Sequence, residues 1–202
     1  MLEAHNLECE RGGRTLFRGL AFAVGAGQGL RIAGANGSGK TTLLRILCGL
    51  LPPSQGSVLW NGTSVNQMQE EYCEKLVYLG HAPAVKDELT AAENLSIACR
   101  IAGDAPSEAD VRAALARFGF LASDAPVRKL SQGQRRRAAL ARLALSEARP
   151  LWLLDEPFSA LDAEGVAILN TLIKSHLARG GALAFTTHQD AGIAATRVID
   201  LS

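Results

Sequence analysis

A glycine-rich segment of the sequence has the residue types and the spacing that hold phosphate groups. The segment GANGSGKTT fits the pattern G-x-x-x-x-G-K-[ST]. Glycines let several backbone N–H groups converge on a phosphate without side-chain clashes, and a following helix adds the positive end of its dipole. We expect Lys40 to reach the β- and γ-phosphates of a nucleotide and Thr41 to ligate Mg²⁺; a purely structural glycine turn is the alternative. The expected nucleotide-binding residues of this segment are Gly34, Ala35, Asn36, Gly37, Ser38, Gly39, Lys40, Thr41 and Thr42.

Two adjacent acids that follow an apolar run match the second half of such a site. In PLWLLDEP the apolar residues precede Asp155 and Glu156, which places both carboxylates at the carboxyl end of a predicted strand. Asp155 is expected to hold Mg²⁺ through water, and Glu156 to polarise the attacking water. The alternative is a pair of acids that caps a helix. Because the phosphate-binding pattern lies upstream, ATP hydrolysis is the leading chemistry.

Strands and helices alternate around these motifs. The apolar run from Leu30 to Gly34 predicts a strand before the glycine-rich loop, and the apolar spacing of TTLLRILCGLL predicts a helix after it. PLWLLDEP is apolar at consecutive positions, as a central parallel strand is. A helix is predicted over Ala163 to Arg179, and ALAFTTH predicts the next strand. The alternation favours the α/β class with a mostly parallel core sheet. Together with the phosphate-binding pattern GANGSGKTT, it predicts the fold of a P-loop NTPase.

Two further parts of the chain differ from this core. The N-terminal segments LECE and GLAFAV predict short antiparallel strands, and PPSQGSVLWNGTSV predicts a short strand among turn residues. From about Leu89 to Ser123 the pattern is helical, with Thr90 and Glu93 at the spacing of a capping box. A long helix rich in alanine and leucine is predicted after LSQGQ. We therefore expect a helical subdomain at about 89–149, inserted in a single domain that covers residues 1–202.

The overall composition limits the class of partner. The chain has 202 residues and a formal net charge of +1, which argues against nucleic-acid binding because that function usually needs a clear basic excess. No apolar core of a signal peptide is visible, and charged residues interrupt the apolar stretches before a membrane-spanning length, so a soluble cytosolic protein is expected. Buried free thiols are favoured over disulfides for the cysteines, which are Cys9, Cys48, Cys73 and Cys99.

The segment KLSQGQRRR, Lys129 to Arg137, places a small polar turn before three arginines. At helical spacing Arg135 to Arg137 cannot all face one way, and we expect some of them to be solvated or paired with acids. With GANGSGKTT, LLDEP, SALD and TTH in this order, the chain resembles the nucleotide-binding subunits of ABC transporters over essentially its whole length. The lack of an NKxD guanine motif argues against a GTPase.

This resemblance implies roles that spacing alone does not give. The LSQGQ segment would open a helix and contact the γ-phosphate of ATP bound by a second copy of the chain. Asp162 would lie at the dimer interface, and His188 would contact the γ-phosphate beside the catalytic Glu156. The expected partners are a second copy and integral membrane subunits, without nucleic acid, and the expected cofactors are ATP and Mg²⁺. The residues of the trans contact would be Ser131, Gln132, Gly133 and Gln134.

Three positions depart from the family pattern. In the LSQGQ segment, called the signature segment below, Gln132 replaces the first glycine of the family pattern, and Gly133 keeps the second. Arg11 stands where an aromatic residue usually stacks on adenine, and its planar guanidinium could stack instead. His81 falls at the position of the Q-loop glutamine, where a neutral imidazole could accept or ligate as the amide carbonyl does. The alternative for His81 is a side chain that points away from the site.

The stretches LECERGGRTLFRGLAF, YLGHAPAVKDELTAAENL and LSQGQRRRAALARL also resemble the ATP-binding subunit of the haem exporter of cytochrome c maturation. That resemblance implies a peripheral subunit on the cytoplasmic face of the inner (plasma) membrane, working as a pair beneath membrane-embedded partners. The alternatives are the ATPase of another transporter and a soluble ABC ATPase that acts in translation or DNA repair. A P-loop kinase is a third alternative, but that class does not explain the signature segment or His188.

Overall fold

The computed structural model of the chain describes residues 1–120, 125–188, 192–193 and 197–201. Within these ranges an antiparallel sheet has the strand order β2-β1-β4-β5. The N-terminal strands are antiparallel, as the sequence predicts, but they are 10 and 11 residues long rather than short. The strands of this sheet are β1 (Leu2–Arg11), β2 (Arg14–Val24), β4 (Gln55–Trp60) and β5 (Thr63–Ser64).

The second sheet is parallel and has the order β6-β7-β8-β3-β9. The predicted strands before the glycine-rich loop and before the acid pair are present, and every residue of β7 is buried, as expected for a central strand. Because neighbouring strands are parallel, their carboxyl ends share one edge of the sheet. The strands are β3 (Gly29–Ala33), β6 (Leu76–Leu79), β7 (Leu151–Leu154), β8 (Ala182–Thr186) and β9 (Arg197–Asp200).

The helices connect these strands and form the region beyond β6. The capping box of Thr90 and Glu93 is confirmed, with both reciprocal hydrogen bonds present. The single long helix predicted after LSQGQ is wrong in detail: it divides at Ala141, where the Ala144 N–H bonds to Ala141 O and tightens the turn. The helices are α1 (Lys40–Leu47), α2 (Gln69–Lys75), α3 (Ala91–Ile101), α4 (Glu108–Arg117), α5 (Gln132–Leu140), α6 (Arg142–Leu145) and α7 (Ala163–Ala178).

The helical stretch expected as far as Ser123 is two helices, α3 and α4, separated by a loop. Its last residues, 121–123, lie outside the described residues.

Two hydrophobic clusters hold the layers together. Alternate residues of β7 point to opposite faces of the parallel sheet, so Leu153 joins one cluster and Trp152 the other. The first cluster contains α1 and the antiparallel sheet, and the second contains α3 to α7. In the second cluster the ring of Trp152 stacks on His176 with centroids 4.0 Å apart. The parallel sheet is therefore covered on both faces, and its carboxyl edge stays open.

The cysteines are free thiols, as predicted, but the expectation that all of them are buried is wrong for one. Cys73 is exposed because it lies on α2, a helix that buries only its Tyr72 side chain. Cys9, Cys48 and Cys99 are buried.

Candidate nucleotide site

The glycine-rich loop leaves the carboxyl end of β3 and opens α1. Gly34 has φ +139°, and a Cβ there would lie 2.6 Å from the Ser38 hydroxyl, so a side chain would collide within the loop. Gly39 precedes α1 with φ +100°, in the left-handed region. Lys40 is mostly buried, and its Nζ donates to the carbonyl oxygens of Gly34 at 2.8 Å and Ala35 at 2.9 Å. The Lys40 ammonium group is therefore held beside the loop backbone that the sequence predicts to bind phosphate.

Asp155 lies next to this loop and uses both carboxylate oxygens. The Thr41 hydroxyl donates to Oδ2 at 2.8 Å, and the Thr186 hydroxyl donates to Oδ1 at 2.8 Å. Asp155 is almost fully buried, and its N–H bonds to the carbonyl of Leu79 on the neighbouring strand. Three strand ends, those of β6, β7 and β8, thus fix the position of one carboxylate against the start of α1.

Glu156 adopts a backbone conformation that is uncommon for its residue type, with φ +47°. Its N–H donates to the Thr186 hydroxyl at 2.8 Å, which fixes the turn after β7. The side chain reaches His188: Oε2 accepts from the His188 N–H at 3.3 Å, and Oε1 lies 3.3 Å from His188 Nε2. The sequence-predicted catalytic pair is therefore in contact, with the imidazole about half exposed and the carboxylate largely covered.

A cleft of about 610 Å³ brings most of the predicted residues together. His81 is one of the residues that line it, and the role of its imidazole stays a prediction, as does the alternative in which this side chain points away. Arg11 lies in an exposed hairpin and is not part of the lining, so adenine stacking on it stays a prediction. The lining residues are Leu16, Asn36, Gly37, Gly39, Lys40, Thr41, Thr42, His81, Asp155, Glu156, Ser159 and His188.

Sequence reasoning missed two residues of this cleft. Leu16 comes from β2 of the antiparallel sheet, and its Cβ is only 3.1 Å from where a Cβ on Gly39 would lie. Ser159 follows the acid pair. No local sequence pattern around either residue indicates a site. Leu16 reaches the cleft through the packing of the two sheets, and Ser159 reaches it through the turn after β7.

The signature segment lies apart from this cleft. Ser131 caps α5 in a capping box with Gln134, and Gln132 forms the first helical residue. A separate cavity of about 310 Å³ is lined by Ser131, Gly133 and Gln134 together with Asp162. Three of the four predicted trans-contact residues, all except Gln132, thus share a cavity with the predicted interface residue, but they do not line the cleft of the phosphate loop in the same chain.

Gly133 has a structural reason to be glycine within this chain. A Cβ at this position would lie 2.8 Å from the carbonyl oxygen of Ala160, and Ala160 itself has φ +61°. The helix can therefore pack against the turn of the SALD segment only when this position has no side chain.

The three arginines of RRR point in different directions, which confirms the expectation. Arg135 forms an ion pair with Asp87 at 2.8 Å. Arg137 pairs with Asp162, and this hydrogen bond holds the pKa of the Asp162 carboxyl below its usual range. Arg136 is buried and donates only to backbone carbonyls among the described residues. None of the three is thus left as an open basic patch.

The geometry is that of an ATP-binding cassette. The ABC transporter family model matches residues 17–159, and the chain belongs to this family. Among curated proteins it is 53% identical to the cytochrome c biogenesis ATP-binding export protein CcmA of Aromatoleum aromaticum, with 100% of this chain and 95% of that protein aligned. It is 47% identical to the protein of the same name from Escherichia coli K12, with 100% and 96% aligned.

Solved structures agree on the fold. A dimeric ATP-binding cassette in a post-hydrolysis state, bound to ADP and Pi, superposes with a TM-score of 0.87 at 23% identity, covering 100% of this chain and 94% of that chain. The predicted P-loop NTPase fold, with a parallel core sheet, an antiparallel N-terminal sheet and a helical part, is confirmed. The chain is an ATP-hydrolysing subunit of the ABC class. Among the described residues, none of the helices combines the length and apolar character that crossing a bilayer requires.

Proposed function

We propose that this chain is the ATP-hydrolysing motor of a haem exporter used in cytochrome c biogenesis. It works as a dimer, bound peripherally to integral membrane subunits on the cytoplasmic face of the inner membrane. The observation that carries the proposal is full-length similarity, at 47–53% identity, to proteins named as cytochrome c biogenesis ATP-binding export proteins. The cleft that joins the phosphate loop to the acid pair supplies the chemistry.

The phosphate loop binds the nucleotide in this proposal. The N–H groups of the loop and the α1 dipole face the phosphates, because the loop glycines leave the backbone uncovered. Lys40, now bonded to the carbonyls of Gly34 and Ala35, turns its ammonium toward the β- and γ-phosphates. Asn36, Gly37 and Thr42 line the same cleft and complete the contacts.

Thr41 and Asp155 fit a magnesium ion. Their hydroxyl and carboxylate oxygens are 2.8 Å apart and are the hard ligands that Mg²⁺ prefers. No group of three or more acidic, histidine or cysteine ligands occurs among the described residues, which suits an ion that takes its remaining ligands from phosphates and water. When bound, the ion neutralises negative charge on the β- and γ-phosphate oxygens.

Glu156 acts as the base for hydrolysis and His188 assists it. The carboxylate is held at the mouth of β7 by its own backbone and by the His188 N–H, which aims it into the cleft. It orients and polarises the water that attacks the γ-phosphorus, and His188 donates toward the γ-phosphate oxygens from the exposed side.

A second copy completes the site. Ser131, Gly133 and Gln134 lie with Asp162 around a separate cavity, and Gln132 begins α5 beside them. These signature residues do not line the phosphate-loop cleft of their own chain. In a face-to-face dimer the signature helix of one protomer closes the cleft of its partner, and the α5 N-terminus adds donors for the γ-phosphate. This arrangement explains why the chain carries two phosphate-binding segments for one nucleotide.

The chain is organised as a single nucleotide-binding domain with a helical subdomain at about 89–149. In this proposal the membrane subunits contact the side of the cleft that His81 occupies, next to that subdomain. A groove between the segment after β6 and helices α3 and α5 would receive coupling segments of the membrane partners. Its apolar lining includes Leu79, Pro83, Leu95 and Ala139.

Affinity purification tests the assignment. The tagged chain is isolated from gently solubilised membranes, and the proteins that accompany it are identified. We expect integral membrane subunits, bound haem in the complex, and loss of membrane association when those subunits are deleted. Co-purification with ribosomes or DNA would support instead a soluble ABC ATPase, and an assembly without haem would support another transporter.

A further inference from the structure

The Arg136 side chain joins two segments of the candidate site. It lies on α5, is 4% exposed, and donates through Nη1 to the carbonyls of Gly80 at 2.9 Å and His81 at 3.1 Å. Through Nη2 it donates to the carbonyls of Asp155 and Glu156, both at 2.8 Å. One guanidinium therefore binds four carbonyl oxygens from two separate loops.

Two of these carbonyls belong to Asp155 and Glu156, which do the chemistry in the proposed function, and the other two belong to the segment after β6. Gly80 and His81 follow β6 at the Q-loop position, while Asp155 and Glu156 follow β7. Glu156 has a left-handed backbone, which is costly for a residue with a side chain and persists only where its surroundings fix it. The Arg136 contact at the Glu156 carbonyl, together with the Thr186 contact at its N–H, fixes both ends of this residue.

Arginine suits this role better than any other donor. Its planar fork presents several N–H groups in fixed directions, whereas lysine offers one compact ammonium. Burial lowers the pKa of Arg136, and the nearby charges of Asp155 and Glu156 oppose that effect. The guanidinium stays charged, and it carries the strongest donors available to neutral carbonyl oxygens.

We propose that Arg136 is a positioning residue that couples the signature helix α5 to the hydrolytic centre of the same chain. Because α5 begins at the segment that contacts the partner's ATP, any shift of this helix moves the backbone of Glu156 and His81 in its own cleft. Arg135 and Arg137 pair the same helix with Asp87 and Asp162, which do not line the cleft, so among these three arginines Arg136 is the one that contacts the hydrolytic centre. The proposal rests on the role proposed for Glu156.

The test compares Arg136→Gln and Arg136→Lys with the parent in the full-length chain, alone and in the assembly that co-purifies with it. ATP affinity, kcat and the exchange rates of the amide hydrogens of residues 155 and 156 are measured. We expect Arg136→Gln to lower kcat by about 100-fold, as displacement of a catalytic group by about 1 Å does. In Arg136→Gln the ATP affinity should be unchanged and both amides should exchange faster. The kcat and exchange rates of Arg136→Lys should lie between those of Arg136→Gln and the parent.

Arg149 provides a matched control. It is also buried, and it donates to the backbone carbonyls of Cys73, Glu74 and Ala102, but it lies before β7, at the end of the strand away from the cleft. Arg149→Gln is expected to lower the melting temperature and to leave kcat of the folded protein unchanged.

The outcomes distinguish a failure of the role inferred for Arg136 from a failure of the role proposed for Glu156. If Arg136→Gln lowers only the melting temperature, as Arg149→Gln does, Arg136 is a structural residue and the inference is overturned. Loss of ATP binding in Arg136→Gln would overturn it as well. If that variant does not fold, Arg136→Lys decides by the same kcat and exchange measurements. Glu156→Gln serves as the reference: if it keeps normal turnover, the proposed role of Glu156 fails first.

Discussion

Replacing Thr186 by valine removes one hydroxyl that serves both acids of the site. This side chain is fully buried, accepts from the Glu156 N–H at 2.8 Å and donates to Asp155 Oδ1 at 2.8 Å. A buried N–H left without an acceptor costs about 1–3 kcal/mol, and a hydrogen bond to a charged group contributes about 1.5–3 kcal/mol. Because valine gains some apolar burial, we expect the free energy of unfolding to fall by about 3 kcal/mol.

For a chain of 202 residues this corresponds to a melting temperature lower by about 6–12 °C. Asp155 loses one of its two fixed partners, so the Mg²⁺ concentration needed for half-maximal ATP turnover should rise by about 10–100-fold. Thermal unfolding and Mg²⁺ titration of ATP turnover measure the two effects. Thr186→Ser keeps the hydroxyl and should cost about 1 kcal/mol for the lost methyl group. Equal behaviour of the valine and serine variants would refute the reasoning.

Three other perturbations test separate parts of the account. Lys40→Ala should abolish ATP binding measured by calorimetry, and an unchanged affinity would exclude the phosphate-loop role. Cys73 should be the one thiol that reacts rapidly with a thiol reagent in the folded protein, because the other three thiols are buried. Burial also raises the pKa of Cys48 to about 11, and a second fast-reacting thiol would contradict this burial. Burial lowers the pKa of His176, so the unfolded chain binds more protons below about pH 6.5 and stability should fall as pH drops through that range. His176→Phe should make this loss shallower in denaturant melts, and an identical pH slope would show that His176 does not contribute.

The phosphate loop and the acid pair could be predicted because their chemistry imposes a local pattern. Glycines, Lys40 and Thr41 must be adjacent to surround a phosphate, and Asp155 must end an apolar strand to reach it. Both requirements appear in a short stretch of sequence, and the strands and α1 lie where these patterns put them.

Other parts of the structure depend on contacts between distant residues and left no such pattern. The partners of Arg136 come from the ends of β6 and β7, which are 55 and 20 residues away along the chain. The strand β9 is short and mostly exposed, and α2 buries only Tyr72, so neither shows the apolar periodicity that predicts an element. Leu16 reaches the cleft because the antiparallel sheet packs beside the phosphate loop.

Glu156→Gln provides the most direct test of the central claim, that two copies close on ATP and Glu156 then drives its hydrolysis. The variant is mixed with Mg²⁺ and either ATP or ADP, and its mass is measured by analytical ultracentrifugation alongside ATP turnover. We expect twice the monomer mass with ATP, the monomer with ADP, and almost no turnover at unchanged ATP affinity. Normal turnover, or a monomer at saturating ATP, would contradict the account.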